Sequence, residues 1–316
     1  MPYREEHGGA VLNIAVARYS TARFQAMEEG HGITVRSLDG DTETTVTNAS
    51  DLPNEGPLAF ISAFIRRLIP DRTDYLLETD SEIPQRTGLG GSGAMGVALT
   101  ALLSKIAGKE LESLELAELA NDVERTDFGS CGGSQDSYGS AVGGIKLITY
   151  AKGGGTSCER LTIPDDTRNF LQDNMLLIYT GEVHLSGSIH EDILAGYHNP
   201  DGKTKGAMDN LKDAANDMAR ALQAGDHDGF ADNLNKTRIN HYALHDSCDA
   251  DILRHYFSEL SEFVRAGKTS GAGGGGFIMI LTHPGMRDAC QQKAESLGAL
   301  VWPLTINRTG VTVTPA

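Results

Sequence analysis

Apolar positions along this 316-residue chain recur in two rhythms. Phe60, Ile61, Phe64, Ile65 and Leu68 fall at helical spacing and predict a helix over 57–69. Residues 94–103 are apolar nearly all round, the pattern of a buried helix. Leu116, Leu119, Ala120 and Val123 form another helical stripe, as do Met208, Leu211, Ala214, Met218 and Leu222. Ile252, Tyr256, Leu260 and Phe263 mark a further helix, and 290–297 the last. Short apolar runs predict strands at 11–17, 33–38, 75–78, Ile145–Tyr150, Met175–Tyr179, 277–281 and 299–304. The mixture makes the fold class α+β, and the second half has the β–α–β–α–β order of a ferredoxin-like layer. The Gly-rich polar stretch 152–157 is the best boundary, dividing a domain at 1–155 from one at 156–316.

Composition narrows the function. Apolar residues make up 40% and charged residues 22%, which is globular rather than disordered. The net charge of −16 argues against nucleic acid and anionic membrane as partners, since both need clustered Lys and Arg. No apolar run approaches the roughly 18 residues of a membrane span, and the N-terminus lacks the order of a signal peptide. Cys131, Cys158, Cys248 and Cys290 are widely spaced without a C-x-x-C pair, which predicts reduced thiols, no structural zinc and a cytoplasmic protein.

Two glycine-rich loops carry the candidate chemistry. One runs Pro84-Gln85-Arg86-Thr87-Gly88-Leu89-Gly90-Gly91-Ser92-Gly93-Ala94, and the other Ser270-Gly271-Ala272-Gly273-Gly274-Gly275-Gly276. Glycine lets a backbone curl and present N–H groups to an anion, so two such loops suggest a phosphate-rich ligand. Gly88-x-Gly90-x-x-Gly93 matches the dinucleotide fingerprint in letters only. Residues 80–87 separate it from the preceding strand, and the segment about 20 residues on reads as helix. No Walker string G-x-x-x-x-G-K-[ST] exists in the chain. What remains is a loop opening a buried helix, whose N-terminal N–H groups and dipole can bind phosphate without a lysine. Ser92 adds a hydroxyl there. Glu124, taken alone, reads as a surface acid. Asp136, in a Gly-rich segment before a buried strand, reads alone as a turn-capping residue.

Together these pieces resemble the GHMP kinase superfamily, and within it the D-glycero-D-manno-heptose 7-phosphate kinase type of sugar kinase. Pro84 with Gly88–Ala94 matches the family's second motif, and Ser270 to Phe277 its third. Gln135-Asp136-Ser137-Tyr138 followed by Gly143-Gly144 matches a heptose-kinase string, and Leu177-Ile178-Tyr179-Thr180-Gly181 the opening of the C-terminal domain. Gly91 and Gly93 stand where serines are usual. The start of the first motif is absent. Residues 3–12 look like its tail, which implies a recorded start downstream of the true one, a shortened chain, or loss of the motif. That motif supplies a sugar-holding Asp and, in several members, a cation.

The resemblance implies a two-domain fold, with a ribosomal-S5-like N-terminal domain and a ferredoxin-like C-terminal one. It implies transfer of the γ-phosphoryl of ATP to a sugar or sugar-phosphate hydroxyl, with Mg²⁺. Pro84, Gly88, Leu89, Gly90, Gly91, Ser92, Gly93 and Ala94 would hold the nucleotide, Ser92 and Glu124 the metal, and Asp136 would act as general base. Gly133, Gln135, Tyr138, Gly273, Gly274 and Gly275 would contact the substrate, and His184, Ser186 and Ser188 a phosphate on the sugar. A non-catalytic sugar sensor of the same superfamily is the alternative, and a homodimer is compatible with either.

Overall fold

In the computed structural model, residues 2–130, 132–182, 186–199 and 201–315 are described, with side chains in the third stretch from Ile189 onward. Contacts divide the chain into two units that interleave along it. One gathers Met1–Ala17, Arg86–Leu89 and Gly144–Asn307, and the other Arg18–Gln85, Gly90–Gly143 and Arg308–Ala316.

The second of these units is built on a four-stranded sheet. Its order is Ser20–Ala26, Tyr75–Ser81, Ile33–Ser37, Thr42–Val46. The central pair is parallel, with Ile33 opposite Tyr75 and Val35 opposite Leu77, and the outer pairings are antiparallel. All four of those residues are fully buried, so the two-residue period of each strand aims one row of side chains at a core. Phe64 and Ile65 from the helix Ala59–Leu68, and Val97, Leu99 and Leu103 from the helix Gly91–Ile106, are buried as well. The helix Ser113–Thr126 buries Leu116, Ala117, Ala120 and Val123, and its start is fixed by a reciprocal cap in which the Glu112 N–H donates to Glu115 Oε2 at 2.8 Å.

The other unit carries two sheets. Gly9–Ile14 pairs antiparallel with Ile145–Tyr150, which pairs with Thr156–Arg160. A four-stranded antiparallel sheet runs Leu300–Pro303, Met175–Tyr179, Phe277–Thr282, Val264–Thr269. The Ala15 N–H donates to the Gly144 carbonyl at 3.0 Å, and the Gly144 N–H to that of Asn307 at 2.6 Å. Met218 and Leu222 of the helix Lys203–Ala224 share a core with Ile145, against which Leu12, Ile14 and Leu147 pack.

Several elements escaped the pattern. Ser20–Ala26 and Thr42–Val46 are polar strands whose residues are half-buried or exposed, leaving no apolar run to find. The helix His227–Tyr242 buries Phe230, Ala231 and Leu234 among many polar residues, so its stripe is faint. Phe263 lies beyond the helix Asp251–Glu259, where the chain turns into Val264–Thr269. Residues 3–12, read as the tail of a motif, are shared between the helix Pro2–His7 and the strand Gly9–Ile14. Among the described residues no helix is long and apolar enough to cross a membrane. Cys158, Cys248 and Cys290 are free thiols, and Cys131 lies outside the described residues.

One core group is unusual. Lys146 is 0% exposed, and its Nζ donates to Asn13 Oδ1 at 2.8 Å. Burial pulls its amine down from the ordinary 10.5 to about 7, with Arg160 acting in the same direction. A depressed folded-state value means that the unfolded chain binds the proton more readily between pH 7 and 10.5. Unfolding free energy therefore gains from this group as pH rises through that window and loses it as pH falls toward 7. Denaturant titrations at pH 7 and pH 10 should show a smaller rise for Lys146→Met than for the wild type.

Candidate active site

The helix Gly91–Ile106 begins where the first glycine loop ends. Gly90 precedes it in the left-handed region (φ 75°), a conformation glycine adopts without strain. The first helical bond runs from the Ala94 N–H to the Gly90 carbonyl at 2.9 Å, so the N–H groups of Gly91, Ser92 and Gly93 come before the helical ladder. Beginning at Gly91, the helix includes loop residues that the apolar pattern, starting at Ala94, left out.

Asp136 sits against this turn. A Cβ added at Gly90 would lie 2.8 Å from Asp136 Cγ, and one added at Gly93 would lie 2.6 Å from Asp136 Cβ. Both glycines are therefore required by the approach of this one side chain. Asp136 itself stands in the first turn of the helix Gln135–Val142, where the sequence suggested a loop. That helix is eight residues long and contains Gly139, too short and too polar for a clear period.

Beside this turn lies a cluster of oxygen atoms. Ser92 Oγ donates to Glu124 Oε1 at 3.2 Å, and the Ser130 hydroxyl also hydrogen-bonds the carboxylate. Burial raises the Glu124 carboxyl above its usual range, and the two hydroxyls partly offset that rise. A carboxylate flanked by two hydroxyls is a hard, all-oxygen donor set of the kind Mg²⁺ takes. Ser130 was missed by the sequence reading. Its signal was its place in the Gly/Ser turn directly after the helix that carries Glu124.

The second glycine loop is held by many bonds. Within the same contact unit, a Cβ at Gly88 would meet the Ser270 carbonyl oxygen at 2.9 Å, so these two backbones touch. The Phe277 N–H donates to the Thr87 carbonyl at 2.9 Å, and the Ser270 N–H to that of Phe277 at 2.9 Å. The Thr180 N–H and hydroxyl both reach the Gly276 carbonyl, at 3.0 and 2.9 Å. Gly273, Gly274 and Gly275 are buried.

The other sequence candidates are placed as follows. Pro84 and Gly88 are exposed, Leu89 and Ala94 half-buried, and Gly91 lies beside Ile83. Gly133 is exposed and Gln135 half-buried. Tyr138 is 4% exposed and its hydroxyl donates to Glu118 Oε1 at 3.4 Å, so the ring belongs to the packed interior. His184 and the side chains of Ser186 and Ser188 lie outside the described residues.

Glu124 gives a second test of stability against pH. With its folded-state value raised, the folded chain holds the proton more tightly than the unfolded chain, and stability falls as pH rises from about 4.5 through that raised value. Glu124→Gln should be the more stable protein at pH 8, with the difference shrinking toward pH 4.5; thermal melts across that range measure it.

Known proteins give this geometry its context. Residues 58–144 match the family described as GHMP kinases N terminal domain, a stretch that contains Gly90, Ser92, Glu124 and Asp136. The chain is similar to D-glycero-alpha-D-manno-heptose 7-phosphate kinase of Campylobacter jejuni, with 28% identity over 89% of this chain and 84% of that one. It is also similar to the bifunctional fucokinase/GDP-fucose pyrophosphorylase of Arabidopsis thaliana, at 23% identity over 94% of this chain but only 29% of that longer protein. In structure it resembles a D-glycero-D-manno-heptose 1-phosphate kinase from Bacteroides thetaiotaomicron, with a TM-score of 0.80, 23% identity, and 99% and 94% of the two chains covered. The matched domain thus holds the glycine turn and both carboxylates, and nearly the whole chain shares the fold of these solved kinases.

Proposed function

We propose that the protein is an ATP-dependent kinase that phosphorylates a sugar or sugar phosphate, with a heptose 7-phosphate accepting at its anomeric hydroxyl as the first acceptor to test. The observation that carries this reading is the packing of Asp136 against Gly90 and Gly93, beside the Ser92–Glu124 pair. It sets a carboxylate next to a helix N-terminus suited to phosphate. The similar heptose 7-phosphate kinase of Campylobacter jejuni supports the choice of acceptor.

In this mechanism the N–H groups of Gly91, Ser92 and Gly93 bind phosphate oxygens of ATP, and the loop from Pro84 through Leu89 leads into them. Asp136 accepts the proton of the acceptor hydroxyl as its oxygen attacks the γ-phosphorus. The bond from that phosphorus to the bridging oxygen breaks, and ADP leaves. Ser92, Glu124 and Ser130 would hold Mg²⁺, which when bound neutralises charge on the phosphates. The resemblance assigns Gly133, Gln135 and Tyr138 to the acceptor.

Coupled ADP release with hexoses, heptoses and their phosphates tests the reading, on this chain and on versions extended upstream of Met1. Asp136→Asn should lower kcat by about 10²–10⁴-fold, the usual worth of a positioned general base, with ATP affinity nearly unchanged. Wild-type turnover by that variant would remove Asp136 from its role. Sugar binding by calorimetry without turnover from any version would instead favour a sensor. Glu124→Gln should raise the Mg²⁺ concentration needed for half-maximal rate, and an unchanged requirement would take Glu124 out of the metal site.

A further inference from the structure

The second glycine loop poses a physical problem. Gly271, Gly273 and Gly274 all have positive φ, at 66°, 95° and 77°. A run of such residues has little intrinsic preference for one shape, so its conformation must be imposed from outside. Backbone contacts do part of this. The Gly276 N–H donates to the Glu182 carbonyl at 3.0 Å, and the Gly274 N–H reaches the Cys248 carbonyl at a longer 3.4 Å.

A side chain completes the hold. His241, near the end of the helix His227–Tyr242, is 7% exposed. Its Nε2 lies 3.0 Å from the Ala272 carbonyl oxygen and its Nδ1 3.1 Å from Thr269 Oγ1. A carbonyl only accepts, so Nε2 carries the hydrogen. In the neutral ring Nδ1 then accepts, and the Thr269 hydroxyl donates to it. Thr269 ends the strand Val264–Thr269, and Ala272 lies three residues further on, inside the loop. One imidazole thus ties the helix to both the strand end and the loop.

We infer that His241 is a positioning residue, a neutral Nε2–H imidazole that fixes the backbone of the Gly271–Gly276 loop. Burial pulls its pKa down to about 4, and Lys268 on the adjoining strand acts in the same direction, so the ring stays neutral where such a kinase would be assayed. Only the predicted effect on turnover rests on the kinase reading; the effect on the loop does not.

The test uses the full chain. His241→Phe keeps the ring volume and removes both hydrogen bonds, and His241→Gln restores a donor. Amide exchange across 270–276 should speed up about tenfold in the Phe variant, matching the loss of one net hydrogen bond. The Gln variant should recover most of that protection, and exchange in the helix Lys203–Ala224 should not change. Unaltered exchange at the loop in His241→Phe overturns the proposal. Long-range ¹H–¹⁵N spectra of the wild-type ring need no variant: an Nε2–H tautomer persisting to pH 5 is expected, and an Nδ1–H tautomer or titration near pH 6.5 overturns it. For a catalytically competent chain, His241→Phe should lower kcat while leaving ATP affinity intact, and His241→Gln should rescue it. Absence of turnover in every version, the upstream-extended ones included, would sink the kinase reading and leave the exchange and tautomer results to stand on their own.

Discussion

The candidate site depends on a contact that two missing Cβ atoms allow. Asp136 occupies space that any other residue at Gly90 or Gly93 would fill, and it does so at the point where a sixteen-residue helix begins. A charged side chain is thereby fixed next to N–H groups that lie ahead of the helical ladder. Two requirements meet at Gly90: a left-handed backbone and room for a carboxylate. Gly93 faces only the second, because its backbone is helical, so its absence of side chain reflects a neighbour rather than a turn.

This explains one departure from the family pattern. Serines are usual at the positions of Gly91 and Gly93 in the pattern the chain resembles. At Gly93 a Cβ would collide with Asp136, so in this chain the glycine is coupled to the carboxylate. The remaining hydroxyl, on Ser92, points to Glu124. Ser92, Glu124 and Asp136 thus come from three different helices and meet only in the folded unit.

Much of the fold was legible because its strong signals are local. Phe60, Phe64 and Leu68 announce their helix, and Leu176 to Ile178 their strand, through apolar runs that packing then uses. The candidate site was legible in its letters, from Gly88 to Ala94 and at Asp136, but not in its shape. The short helix Gln135–Val142 takes its stability from burying Ser137, Tyr138, Gly139 and Ala141, and no period within eight residues could show that. His241 was invisible for another reason. A histidine among Asn240, Tyr242 and Arg238 carries no motif, and only the fold brings it against Thr269 and Ala272. Ser130 shows the same dependence on long-range arrangement over a shorter reach.

The bond from Ala15 to Gly144 has a topological meaning. It joins the place where the chain departs from one contact unit, near Ala17, to the place where, after a brief return at Arg86–Leu89, its long stretch in that unit begins, at Gly144. Most of the other unit is therefore an insertion whose two ends lie at the close of the ladder between Gly9–Ile14 and Ile145–Tyr150. A long excursion that closes on itself in this way costs the host little beyond loop-closure entropy, which grows only slowly with length. The host sheet, Gly9–Ile14 with Ile145–Tyr150, is thus a hairpin whose loop has grown to the size of a domain.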